Sequence, residues 1–231
     1  MAIAQTQLLT LLQISDSAFP TGGFSHSLGL EAAVKFQLVE AGNLDVLEQF
    51  TAAVLENTGS FSLPFVTEAY ESSDNFTELK KLNDTCDACT SNHVAKRAST
   101  RQGRSLLSTS ARTFKNELLQ HFQEFSEAQD GFQMHHPVMF GHLCRILGVD
   151  LSQCQTAFVF GSLRTLLASA VRLDIVGALE AQALQNKMQS FIPDIISKYR
   201  SRKAEEACVS FPLPEVLQNS QDTLFSKLFY S

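Results

Sequence analysis

Apolar residues recur along this chain at three- and four-residue steps, the period of an α-helix that turns one face inward. Leu44, Leu47, Val54 and Leu55 share one such face, and Asn43 is placed to cap the helix that carries them. Phe76, Leu79, Leu82, Cys86 and Cys89 form a second stripe, and Leu118, Leu119, Phe122 and Phe125 a third. Pro137 suits the first turn of another helix, which Gly148 would stop just before Asp150. From Ser152 to about Leu173 the pattern is apolar on most sides. It predicts a long, deeply buried helix, with Gly161 and the small run Ala168-Ser169-Ala170 letting a neighbouring backbone come close. A further helix is predicted from Ala178 to about Cys208, bent or broken near Pro193. Ser126 to His136 is polar and reads as a loop. No stretch alternates convincingly with the period of a strand. The expected fold is all-α: a single-domain bundle of about eight to ten helices over residues 1–231, with an apolar C-terminal tail.

That tail, residues 211–231, starts with Phe211, Pro212 and Pro214 and ends TLFSKLFYS. Leu224, Phe225, Leu228, Phe229 and Tyr230 make it too apolar to move freely in water. It either folds back on its own core or docks on a partner.

Composition narrows the classes. With 231 residues, 44% of them apolar, the chain can bury a substantial core. A formal net charge of -6 argues against a general nucleic-acid binder. No apolar run approaches the roughly 20 residues that span a bilayer. The start, MAIAQTQLLTLLQIS, has no basic n-region, no A-x-A pattern and no presequence arginines, so the cytoplasm is the expected location. Cys86, Cys89, Cys144, Cys154 and Cys208 are an odd number of cysteines and favour reduced thiols.

Candidate chemistry is sparse. There is no G-x-x-x-x-G-K-[ST], and Gly22-Gly23 alone is a turn signal. Gly23-Phe24-Ser25-His26-Ser27 lacks the second glycine of a nucleophile elbow, and a triad of Asp16, Ser25 and His26 is hampered because Ser and His are adjacent. Cys86-x-x-Cys89 is half a zinc site, but at i, i+3 on an apolar stripe both thiols read more simply as core. His135, His136, His142 and Cys144 offer donors of the kind nickel or zinc prefers, which keeps a small metal-binding protein as the alternative reading. His136 before Pro137 also suits a helix entry. Arg97, Arg101 and Arg104 share one helical face, either as solvated surface or as a landing site for an acidic partner. Glu31 lies in the first turns of a helix. Arg172 ends an apolar run, where a guanidinium is costly unless paired or at a rim.

Four ordered blocks give the chain a specific resemblance to the UreF family of urease accessory proteins, closest to its eukaryotic and particularly its plant members. The first is LLQISDSAFPTGGFSHSLGLEAAV, which contains Gly22, Gly23, Phe24, His26 and Glu31. His136-Pro137 through Phe140-Gly141 to Leu147-Gly148 resembles the central H-P-x-x-F-G block, and Ala170-Val171-Arg172-Leu173 the A-V-[KR]-L block. Leu224 to Ser231 resembles the terminal Y-S-R-L-F-x-S.

The resemblance implies a dimerising, non-enzymatic chaperone that bridges a UreD-type scaffold and the GTPase UreG. The complex then delivers nickel to apo-urease in a step coupled to GTP hydrolysis. It implies no cofactor held by this chain, no nucleic acid and no membrane; nickel and GTP are handled by the complex. Glu31 and Arg172, with Gly22, Gly23, Phe24 and His26, fall on the GTPase side, and the tail residues Phe225, Lys227, Leu228, Phe229 and Tyr230 on the scaffold side. Of Arg164 and Arg172, the arginine-finger candidates, Arg172 is better read as a binding residue, because the lysine of the family block cannot form a finger's planar fork. Three departures stand out: Lys227 for an arginine, Phe225 for a tyrosine, and Asp174 beside Arg172, where it could neutralise the guanidinium.

Overall fold

The computed structural model describes residues 2–231, with side chains from Gln5 onward. Among these residues, twelve α-helical segments follow one another: α1 Ala2–Ser15, α2 Leu30–Lys35, α3 Leu44–Asn57, α4 Leu63–Glu71, α5 Phe76–Cys89, α6 His93–Phe114, α7 Glu117–Glu127, α8 His136–Ile146, α9 Leu151–Arg172, α10 Ala178–Met188, α11 Ile192–Tyr199 and α12 Pro212–Asn219. A π turn at Thr58–Ser62 joins α3 to α4, and a 3-10 turn at Gln189–Phe191 joins α10 to α11, so the twelve segments form ten rods. Among the described residues there is no strand. The bundle is all-α, as the periodicity predicts.

Local chemistry sets the helix starts. Asn43, Asn75, Asn92, Asn116 and Asp150 each turn a side-chain oxygen onto backbone N–H groups of the turn that follows. Pro64, Pro137, Pro193 and Pro212 stand in first turns, where a missing N–H costs no bond. The bend or break predicted near Pro193 is this 3-10 turn, which carries α10 into α11, and the helix ends at Tyr199 rather than near Cys208.

The most completely buried helix is α8, not α9. Every residue from Val138 to Cys144 is buried, because α4, α5, α6, α7 and α9 all pack around α8. Gly141 is what admits α4, since a Cβ there would collide with the Val66 carbonyl oxygen. Gly103 does the same for α6, where a Cβ would collide with the Met134 carbonyl oxygen. The expected close approach at Gly161 is absent: nothing lies within 4 Å of the place a Cβ would occupy. In α9 one face is buried, through Phe158, Val159, Leu163, Leu166, Leu167 and Ala170, while Ala157, Phe160 and Arg164 are half-buried. Among the described residues α9 is also the one helix long and apolar enough to cross a membrane, and half of that stretch is buried in the bundle.

Candidate partner-binding site: the tail in its socket

The tail folds back on its own chain. After α12 and a short 3-10 turn it crosses α2 and the end of the 3-10 turn Gly23–Ser25 without regular structure, bending at Phe225–Ser226 and at Leu228–Phe229 and burying Leu224, Phe229 and Ser231. Two backbone bonds fix its end: Tyr230 N–H donates to the Ser25 carbonyl at 2.8 Å, and Ser27 N–H donates to the Ser231 carbonyl at 2.6 Å. His26 Nδ1 pairs with the Ser231 hydroxyl.

Glu31 lies beneath this segment, wholly buried. Its Oε1 accepts the Leu228 N–H at 2.6 Å, and its Oε2 accepts the Phe229 N–H at 3.0 Å and the Gln221 Nε2 at 2.6 Å. A buried carboxylate is tolerable only when its lone pairs are met in this way.

The basic residues surround the tail's aromatic rings. Arg172 lies over Phe229, 4.8 Å from the ring centre, and its Nη1 is 3.4 Å from the Phe24 carbonyl oxygen. Arg101 and Arg97 lie 3.8 and 5.1 Å from the centre of Tyr230, and Arg101 also donates to its hydroxyl at 3.0 Å. Arg97 grips Asp222 through both terminal nitrogens at 2.9 Å, which holds that carboxyl well below the usual range. The basic face therefore meets an acid and an aromatic of its own chain. Arg104, one turn further on, is exposed and is not among these contacts.

One expectation changes here. Asp174 forms no ion pair with Arg172 among the described residues; it takes a left-handed turn (φ 58°) past the end of α9, and the guanidinium rests on Phe229 instead. Lys227, where the family block has arginine, places its single ammonium 3.4 Å from the backbone carbonyl oxygen of Asp222 and 3.6 Å from its carboxylate. Phe225 is fully exposed, Leu228 and Phe24 more than half so.

The histidines do not converge. His135 Nε2 bonds Asp87 at 3.1 Å and its Nδ1 bonds Ser99 at 3.0 Å. His142 is wedged against Phe122 and Phe76, with Nδ1 on Ser73 at 2.8 Å, and burial drives it down to about 3. His136 stacks on Phe158 and, like His26, lines a cavity of about 680 Å³ between the first loop, α6, α8 and α9. Burial drives both of these down to about 4, Arg101 and Arg97 adding to it at His26, and His26 adding to it at His136. Cys86 is buried as expected, whereas Cys89, at the end of α5, is exposed. Among the described residues no group of three or more His, Cys, Asp or Glu side chains is placed to hold a metal ion.

Sequence reading missed Asp87, His135 and Ser99 as a connected set, because they come from three separate segments. Their order has the look of a hydrolytic triad, but the Ser99 hydroxyl also accepts the His136 N–H at 3.1 Å. Ser99 stands well inside α6, where the surrounding N–H groups belong to the helix and leave no oxyanion donors. The set anchors the start of α8 to α5 and α6.

With this geometry in hand, the family model UreF matches residues 43–189. Urease accessory protein F of Arabidopsis thaliana is 38% identical over 220 residues, covering 95% of this chain and 90% of that protein. The chain belongs to the UreF family. The rice protein of the same name (Oryza sativa subsp. indica) is 37% identical over 228 residues, 97% of this chain and 85% of that one. A UreF-like protein of Schizosaccharomyces pombe is 27% identical over the whole length of both. The UreF model covers α3 to α10, and with them Arg97, Arg101 and Arg172; Glu31 and the tail lie outside it.

Proposed function

We propose that this chain is a non-catalytic urease chaperone, which as a homodimer in the cytoplasm bridges a UreD-type accessory protein and the GTPase UreG. Nickel is the cargo of that assembly and GTP the nucleotide of its partner, and this chain holds neither as a cofactor. The observation that carries the reading is the likeness to plant urease accessory proteins F along nearly the entire chain. The physical task is to bind one nucleotide state of the GTPase better than the other, since only differential affinity can move that equilibrium. Arg172, stacked on Phe229 at the socket's edge, suits a binding residue better than a finger that must swing freely into an active site.

The test is urease activation in cells deleted for their own UreF but retaining the other accessory proteins. Expression of this chain should restore urease activity together with nickel content in the purified enzyme. Urease that stays nickel-free despite good expression of the chain would refute the reading.

A further inference from the structure

We propose that the cavity between the first loop, α6, α8 and α9 is a binding site for an uncharged small molecule that joins an aromatic body to one hydroxyl or N–H donor. Its volume, about 680 Å³, is that of a pocket for a ligand of drug size. Leu28, Val54, Phe61, Leu106, Phe140 and Phe158 give it apolar walls. Asp16, Ser17, Ala18 and Pro20 line it and are exposed, so it opens to solvent at the first loop. Gly161, in the middle of α9, lines it too, and nothing lies within 4 Å of the place its Cβ would occupy. A glycine inside a helix weakens that helix, and a common reason to keep one is a neighbour too close to admit a side chain. No such neighbour is present here. What Gly161 keeps open is the cavity.

One wall carries a polar group with nothing to bind. The backbone N–H of His136 is met by Ser99, but its ring nitrogens have no hydrogen-bond partner among the described residues. The ring is half-buried, opens onto the cavity, and stands between Phe158 and Phe140, with ring centres 5.5 and 5.9 Å away. Held near 4 by burial, the imidazole is neutral and keeps one N–H and one lone pair. A lone pair facing an apolar chamber is met by a ligand hydroxyl or N–H, and the flanking rings offer their faces to an aromatic body. Charge is selected against in both senses. A cation would meet Arg164 in the lining and the field of Arg97 and Arg101 at His26, with no group of three or more His, Cys, Asp or Glu to hold it among the described residues. An anion would have to shed its water against apolar walls, and Arg164 is already engaged by the Ser15 carbonyl. The site stands whether or not the chain activates urease.

The experiment is a fluorescence titration of the full-length chain with 2-naphthol, which is uncharged at neutral pH and is excited beyond the absorption of a chain without tryptophan. Saturable binding is expected, about tenfold or more tighter than that of naphthalene-2-sulfonate or 2-naphthylmethylammonium, which carry the same body with a negative or a positive charge. Gly161→Leu fills the cavity from a helix that favours leucine over glycine; it should cut affinity about tenfold or more without lowering the thermal midpoint. His136→Phe keeps the aromatic stack and removes the acceptor, and should weaken 2-naphthol by about tenfold. In the chain labelled with 15N-histidine, the ring signals of His136 should move during the titration, while those of His142, packed elsewhere against Phe122, should stay. No saturable binding by the wild-type chain overturns the site, and equal binding of the charged probes overturns the ligand class. Wild-type affinity in Gly161→Leu, or a His136 signal that does not move, places the probe outside the cavity and overturns the site as well. Wild-type affinity in His136→Phe overturns the role of the imidazole. Should Gly161→Leu fail to fold, His136→Phe and the histidine signals decide the matter.

Discussion

Glu31 accepts the backbone N–H of Phe229 at 3.0 Å across 198 positions of the chain. This one bond ties a block near the start of the sequence to its last residues. It makes a single site of side chains that the family resemblance puts on two different partner faces.

Tyr230 is gripped by two guanidinium groups, so its removal should be felt even though the ring is partly in water. A double-mutant cycle between Arg101→Ala and Tyr230→Ala, read by urea denaturation, should give a coupling of about 0.5–1 kcal/mol. Strictly additive losses would mean that the stack contributes nothing.

Two glycines should respond in opposite senses. Gly141→Ala drives a methyl into the Val66 carbonyl and should destabilise by about 3 kcal/mol or more. Gly161→Ala has open space around it in the middle of α9 and should stabilise by up to about 1 kcal/mol through helix propensity. Thermal or chemical denaturation of the two variants checks both signs.

His26 and His136, held near 4, and His142, held near 3, are neutral in the folded chain at neutral pH, and His135 is shifted down as well. Unfolding releases them to the ordinary value of about 6.5. A depressed folded pKa contributes stability that is fully present above the unfolded value and is lost as pH falls toward the folded one. Stability should therefore be nearly flat above about pH 7.5, begin to fall as pH drops through about 7 and fall most steeply between about pH 6.5 and 4, with about three to four protons taken up on unfolding near pH 5. A denaturation midpoint that does not move between about pH 7 and pH 5 would contradict the buried, neutral assignment.

Ser99 should behave as a structural hydroxyl. A fluorophosphonate probe should label neither Ser99 nor Ser25. Ser99→Ala should cost about 1–3 kcal/mol, since it strips a partner from His135 Nδ1 and from the His136 N–H. Stoichiometric labelling of Ser99 would reopen a hydrolytic reading.

The helical class, the cap at Asn43 and the helix entry at Pro137 are legible in the sequence because each is decided within one turn of chain. Burial is less legible. The most completely buried helix is α8 rather than the longer α9, because Gly141 and Gly103 let α4 and α6 close on it, and such approaches depend on what lies opposite. The residues of the site are visible one at a time, through Arg172 at the end of an apolar run, a basic stripe and an apolar tail. Their convergence is not, since Glu31, Arg101 and Phe229 are joined only by the tertiary fold. The histidine cluster fails for the same reason, as neighbours in sequence turn into separate pockets.

The central claim is that the chain with its tail seated is the form that assembles. Light-scattering chromatography of the chain mixed with UreD- and UreG-type proteins, full-length and truncated after Phe211, tests it most directly. A multi-subunit complex is expected with the full-length chain, with loss of the UreD-type protein on truncation. Equal complexes from both versions, or none from the full-length chain, would contradict it.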